Sequence, residues 1–288
     1  MSVFLQSLIS GILIGGVYAL IGIGLTIIFG VMRVINFAHG DLMMLGMYAT
    51  YFIFTLFHID PFVSIVLTIP IMFLFGAFLQ KAFINRALNA LPQNQILLTI
   101  GMGLVMSNSI MLAFTSDYRI LSTTYSSSSV TILGISVSEP LVVSFAITTV
   151  ITAVLYWFLY KTNMGQAIRA TAQDREAAKL MGINVKRMSI TAFGLGTSLA
   201  ATAGALIAPT YYIYPQVGSI FTLKAFVITV LGGMGSIVGA TLGGVIIGVA
   251  ESVGAVLFGS GWKDVIVFVL FLLVLLFKPS GLLGTSRD

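Results

Sequence analysis

The 288-residue chain has no cysteine, which excludes disulfides, thiolate metal sites and cysteine nucleophiles. It has only two histidines, His39 and His58, and His58 falls in a turn, so a nucleophile activated by a neighbouring base has little to draw on. There is no G-x-x-x-x-G-K-[ST] stretch, so the chain binds no ATP through a P-loop. Gly233-x-Gly235-x-x-x-Gly239 has the wrong spacing for a dinucleotide fingerprint, and no strand precedes it. No cofactor or metal is expected on this chain. Charge is scarce too: 8% of residues, against roughly 25% in ordinary soluble domains.

What is abundant is apolar surface. Hydrophobic residues make up 58% of the chain and the mean hydropathy is +1.07, the composition of an integral membrane protein. The expected fold is an all-α polytopic membrane protein, one transmembrane domain over residues 1–288, with eight or nine crossings, some short or broken. The net charge of +5 does not point to nucleic acid, because the cations cluster near the ends of apolar runs. On the topology below, eleven of the fourteen Lys and Arg residues fall on one side.

Val3 to Gly30 is long enough to cross a hydrocarbon core, which needs about 20 residues. It lacks the charged leader of a signal peptide and is too long for one. Its first following cation is Arg33, so the positive-inside rule places the N-terminus outside. Gly11 and Gly15 form a GxxxG suited to close helix contact. Further spans are expected at Val34–Leu56, Phe62–Leu79, Gln93–Phe114, Leu141–Tyr160, Ser189–Ala208 and Val265–Phe277. Gly40 and Gly46 are expected to weaken the second span. Residues 115–140 are the longest external segment, either a landing surface for an extracytoplasmic partner or a passive hairpin. Tyr211, Tyr212 and Tyr214 are read as an interfacial belt.

Gly218 to Phe258 is too long for one crossing and is interrupted at Leu231-Gly-Gly-Met-Gly-Ser236, giving a short inward segment and an outward span. Gly235, Gly239 and Gly243 repeat every four residues and are expected to form one glycine stripe for helix packing. Glu251 is the one carboxylate well inside a span. Holding an acid there costs roughly 2.5 to 3.5 kcal/mol, so it faces a polar seam, a cavity or a partner subunit, or makes a structural interhelical hydrogen bond. The glycine-interrupted segments near 36–46 and 231–244 lie in opposite halves, as segments bracketing a substrate path often do.

Residues 161–188 carry six of the fourteen cations, which places the loop in the cytoplasm with the C-terminus. Two short helices are expected, one from Asn163 to near Ala172 and one from Arg175 to Met181. Asp174 is the N-cap of the second and Gly182 its left-handed stop. Glu176, Ala177, Ala178 and Gly182 spell EAAxxxG, with the acid favoured near the helix N-terminus and the two alanines leaving a shallow face.

This pattern resembles the cytoplasmic EAA loop of ABC-importer permeases, although the I-x-L-P that often follows the glycine is absent after Gly182. Residues 35–41, I-N-F-A-H-G-D, resemble the corresponding segment of the H-type permease for branched-chain amino acids. The resemblance covers nearly the whole chain. It implies that Asp174, Arg175, Glu176, Ala177, Ala178 and Gly182 form a coupling helix seated in an ATPase groove. It implies partners: a homologous second permease, two ATP-binding subunits that use ATP and Mg, and an extracytoplasmic substrate-binding protein. The location implied is the bacterial inner membrane, and the solute is leucine, isoleucine or valine; importers of urea, amides or polar amino acids have closely similar permeases. Asn36, His39 and Asp41 either line the translocation path, with Glu251, or cap a helix in the headgroup layer. A rival reading makes Asp41, His39 and Glu251 the proton relay of an ion-coupled carrier.

Overall fold

The computed structural model describes residues 2–88, 90–132 and 134–284; residues 285–288, the end of the expected cytoplasmic tail with Arg287, lie outside the described residues. Among the described residues the fold is helical apart from one hairpin. Helix α1 (Ser2–Met32) is followed by α2 (His39–Phe57) and α3 (Pro61–Leu79). Asp60 caps α3 by accepting from Phe62 N at 2.8 Å, and Pro61 occupies the first turn, where no N–H is missed. A π-turn at Gln80–Ile84 carries α3 into the short α4 (Asn85–Ala87). Helix α5 (Pro92–Phe114) leads to the antiparallel pair β1 (Ser129–Ile132) and β2 (Ile135–Ser138).

Helix α6 (Glu139–Lys161) ends at the basic loop, which forms α7 (Asn163–Gln173) and α8 (Arg175–Leu180). Then come α9 (Val185–Ile207), α10 (Val217–Gly232), α11 (Ile237–Phe258) and α12 (Lys263–Phe277). Among the described residues eight helices are long and apolar enough to cross a membrane, and α10 is a shorter apolar helix. At 1.5 Å per residue α10 is about 24 Å long, less than the roughly 30 Å hydrocarbon core. The short apolar helix is therefore α10, separated from α11 at the glycine-rich interruption.

Burial sorts the helices. The most apolar stretches of α1 and α9 are 89% buried, whereas that of α12 is 6% buried, so α1 and α9 form the centre and α12 lies at the rim. Small residues permit this. A β-carbon at Gly11 or Gly15 would fall 2.7 Å from the Val249 or Val245 Cα of α11, and one at Gly24 would fall 2.7 Å from the Gly196 carbonyl of α9. The backbones touch, which in lipid is where helix association gains its dispersion energy.

Three expectations are corrected by this packing. Gly40 and Gly46 do not weaken α2; they are its contact points, and a β-carbon at either would overlap the backbone of Gly218 or Ala201. Gly235 is not on a helical stripe. It has φ +98°, as does Gly233, a conformation incompatible with a right-handed helix, and α11 starts only at Ile237 after Ser236 accepts from Gly239 N at 3.1 Å. Gly239 and Gly243 do meet α10, at Gly232 and at the Ile228 carbonyl, while Gly244 and Gly248 meet α1. Tyr211 is not a belt residue: its hydroxyl lies 3.3 Å from that of buried Tyr18.

Candidate functional site

Three groups of polar side chains stand out, two inside the bundle and one at its end. The first is built where α2 begins. After Met32 the chain leaves helix, Arg33 adopts φ +58°, and residues 33–36 run back alongside the bundle before α2 starts at His39. His39 is fully buried and its Nε2 is 3.0 Å from the carbonyl of Ile21. Ile21 lies eleven residues before the end of α1, about 16 Å along its axis. Phe37 N donates to Thr99 Oγ1 at 3.3 Å, and Asn36 Oδ1 accepts from Ala38 N at 3.1 Å. Asn36, His39 and Asp41 are therefore buried within the bundle rather than at its surface.

Helix α10 begins at the same place. Gly40 N donates to Thr222 Oγ1 at 2.9 Å, and the one proton of that hydroxyl has two carbonyls in reach, Gly218 at 3.1 Å and Phe37 at 3.2 Å. The Asp41 carboxylate lies between Gly103 of α5 and Gly218 of α10, and is 8% exposed. Among the described residues it makes no hydrogen bond or ion pair. Two helix starts thus converge on an unpaired carboxylate, and the positive ends of their dipoles face it. Asn36 Nδ2 and His39 Nδ1 are also buried without a partner. Interrupted helices of this kind, meeting inside the bundle, are how transporters present backbone and dipole ends to a polar solute.

The second group joins α1, α10 and α11. Lys224 Nζ lies 2.7 Å from Glu251 Oε2 and donates to the Tyr18 hydroxyl at 3.1 Å. Both charged side chains are 7% exposed. Glu251 thus faces a polar seam with an ion pair, and the partner that sequence reasoning passed over is Lys224. The signal was available as a lone cation in the apolar run of α10, matched by a lone acid in the next helix. Glu251 also borders a cavity of about 240 Å³ that includes Tyr18, Tyr211 and Lys263. Among the described residues neither His39 nor Asp41 bonds directly to Glu251.

The third group is the helical hairpin between α6 and α9. Thr162 caps α7 by accepting from Gly165 N at 3.1 Å. Asp174 Oδ1 accepts from Glu176 N at 2.9 Å and Ala177 N at 3.0 Å. At the other end Ile183 N bonds to the Ala178 carbonyl and Gly182 N to that of Lys179, with Gly182 at φ +80°; this pairing satisfies the last carbonyls of α8. Glu176 is 81% exposed and meets Lys179 at 3.2 Å. Leu180 and Met181 are 89% and 82% exposed. Ala177 faces outward, but Ala178 is buried against the bundle, so the shallow face is Ala177 with Leu180 and Met181, not the alanine pair. Arg33, just after α1, donates to the Ala172 carbonyl at 3.4 Å and shares an open hollow of about 390 Å³ with residues 172–176.

Residues 115–140 are tied down as well. Arg119 and Ile213 exchange backbone hydrogen bonds at 2.9 and 2.8 Å, and the Tyr125 hydroxyl donates to Asp60 Oδ2 at 2.7 Å. Burial, and then the adjacent carboxylate, push the Tyr125 phenol upward.

A bundle of membrane-length helices that encloses an ion pair and an unpaired acid, and carries a charged hairpin at one end, defines an integral membrane protein of the permease class. The sequence places it more closely. Residues 7–275 match the family described as branched-chain amino acid transport system / permease component, and the chain belongs to that family. It is 36% identical to the high-affinity branched-chain amino acid transport system permease protein BraD of Pseudomonas aeruginosa, with 98% of this chain and 96% of that protein covered. It is 33% identical to the corresponding permease protein LivH of Escherichia coli K12, with the same coverage. It is 29% identical to the probable branched-chain amino acid transport permease protein LivH of Methanocaldococcus jannaschii, over 96% of this chain and 91% of that protein. No solved structure matches the chain.

Proposed function

We propose that this chain is the membrane-spanning permease of an inner-membrane ABC importer for branched-chain amino acids. Leucine, isoleucine or valine is delivered by an extracytoplasmic binding protein, and a homologous second permease and two separate ATPase subunits complete the assembly. The names of the full-length relatives support the solute class. The observation that carries the motor-driven part is the α7–α8 hairpin: a rigidly capped helix that exposes Glu176, Ala177, Leu180 and Met181 at one end of an otherwise apolar bundle. Large apolar side chains beside a charge, fully exposed on a structured helix, suit burial in a partner's groove.

In this reading ATP closes the ATPase dimer and displaces α8. The displacement passes through α7 to the end of α1, where Arg33, the residue after the helix, holds the Ala172 carbonyl and a β-carbon at Gly30 would fall 3.9 Å from that of Ala172. Helix α1 is central and touches α9, α10 and α11, so a shift at its end reaches both polar groups in the bundle. Asn36, His39 and Asp41 line the path taken by the solute. The hairpin and the C-terminus face the cytoplasm and the N-terminus faces outward, as the cation distribution favours.

The test is uptake by proteoliposomes holding this chain with its partner permease, ATPase subunits and receptor. Labelled leucine should accumulate only with ATP, and Glu176→Lys should abolish accumulation while the chain still folds. Accumulation that follows an imposed proton gradient without ATP would overturn the reading in favour of an ion-coupled carrier.

A further inference from the structure

We propose that the cavity beside Glu251 is a subsite for a free α-amino acid, which it takes in zwitterionic form with the ammonium group toward Glu251. This rests on the transport reading above and assigns it a solute-binding place. The cavity, of about 240 Å³, lies at the end of the bundle opposite the α7–α8 hairpin, because α6 and α12 begin there and α9 and α11 end there. Glu251 lies seven residues before the end of α11, about 10 Å inward, and Lys263 is the first residue of α12, at the rim.

The lining is polarised to match such a solute. Glu251 lines the cavity, whereas its counter-ion Lys224 lies outside the lining. Lys263 contributes a positive charge to the lining. The lining also includes Ser10 and Ser252, whose hydroxyls make no side-chain hydrogen bond among the described residues and are free to donate to a carboxylate. Tyr18 and Tyr211 add phenol groups, and Ile14 and Leu141 supply apolar wall for an aliphatic side chain. A concave site with a few convergent polar groups and an apolar wall is the usual form of a small-molecule site. The same chemistry would admit the ammonium headgroup of an aminophospholipid, so the experiment separates the two sources.

The purified transporter, assembled with its partner subunits in phosphatidylcholine nanodiscs without receptor or nucleotide, is titrated with labelled leucine. Saturable binding is expected. 4-Methylpentanoate, which lacks the ammonium, and 3-methylbutylamine, which lacks the carboxylate, should each compete about ten-fold less well than leucine, the loss of one hydrogen bond to a charged group. Ser10→Phe, which fills the cavity, and Lys263→Gln should each weaken leucine binding by a similar factor, about ten-fold, with folding checked by thermal melting. Unchanged leucine affinity in folded Ser10→Phe would overturn the proposal. So would equal competition by either half-molecule, or loss of leucine binding when phosphatidylethanolamine replaces part of the lipid. If the wild-type assembly imports leucine while those results fail, the subsite alone is wrong; if it imports no branched-chain amino acid, the transport reading falls and the subsite falls with it.

Discussion

Lys224 and Glu251 lie 2.7 Å apart and 27 residues apart in sequence, and through the Tyr18 hydroxyl they tie α10 and α11 to α1. Lys224 also lies over the Tyr18 ring, 4.8 Å from its centroid. Each charge alone would be intolerable at this depth, so the pair acts as a clasp that the three helices must agree on before they close.

Removing one partner is therefore more damaging than removing both. Lys224→Met should destabilise the chain by about 3–5 kcal/mol, because it leaves a buried carboxylate unpaired. Lys224→Met combined with Glu251→Leu should recover most of that loss. Thermal unfolding of the four proteins in detergent, read as a double-mutant cycle, gives the coupling. Simple additivity of the two single effects would show that the charges do not interact.

The glycine contacts make a second, sharper contrast. A β-carbon at Gly239 would overlap the carbonyl of Gly232, whereas one at Gly101 on the rim helix α5 meets nothing within 4 Å. Gly239→Leu should wedge α11 away from α10 and stop leucine uptake, while the hairpin still retains the ATPase subunits on purification. Gly101→Leu should leave uptake intact. Equal activity of the two variants at equal expression would remove the close-packed seam from the mechanism.

How far these features could be read from the chain differs in kind. Span lengths followed from composition, because lipid admits few alternatives to apolar helix. Asp174 and Gly182 were legible because caps are local: the residues that stop α8 lie within a few positions of its ends. Asn36, His39 and Asp41 stood out as polar residues in an apolar run, but whether they lay at the edge or inside depended on the backbone turning at Arg33, a non-glycine residue at positive φ that no pattern announces. Gly235 was misread because a spacing of four has meaning only inside a continuous helix, and the helix starts two residues later. The Lys224–Glu251 clasp and the inward turn of Ala178 and Tyr211 are products of tertiary packing between elements far apart in sequence.

The hairpin prediction tests docking separately from folding. Glu176 is 81% exposed and its partner Lys179 is 60% exposed, so the pair adds little to stability. Glu176→Lys should leave the melting temperature unchanged yet release the ATPase subunits, seen as their loss from the affinity-purified complex. Asp174→Ala should cost about 1 kcal/mol locally by uncapping α8 and reduce coupling only in part. A Glu176→Lys variant that still co-purifies with a full complement of ATPase and still transports would place the docking surface elsewhere.

Asp41 offers the prediction in which stability and function pull in opposite directions. Its carboxylate is almost fully enclosed, and among the described residues nothing pairs with it except the dipoles at the starts of α2 and α10. Those dipoles are worth at most about 2 kcal/mol in a partly buried setting, less than the several kcal/mol that burying an ion costs after relaxation. The resting protein therefore carries a net penalty at Asp41, and Asp41→Asn, which keeps the shape and drops the charge, should raise the melting temperature or leave it unchanged. If the carboxylate is kept to meet the cationic end of a passing solute, the same variant should slow uptake while leaving the order of preference among leucine, isoleucine and valine as it was. Gly218→Ala supplies an independent check, because its β-carbon would fall 2.7 Å from Asp41 Oδ1 and crowd the space a solute needs; it too should slow transport. Measuring melting and uptake on the same preparations separates the possibilities: a fall in both for Asp41→Asn would make Asp41 a structural group, and an altered solute preference would mean that the membrane domain itself selects what is carried.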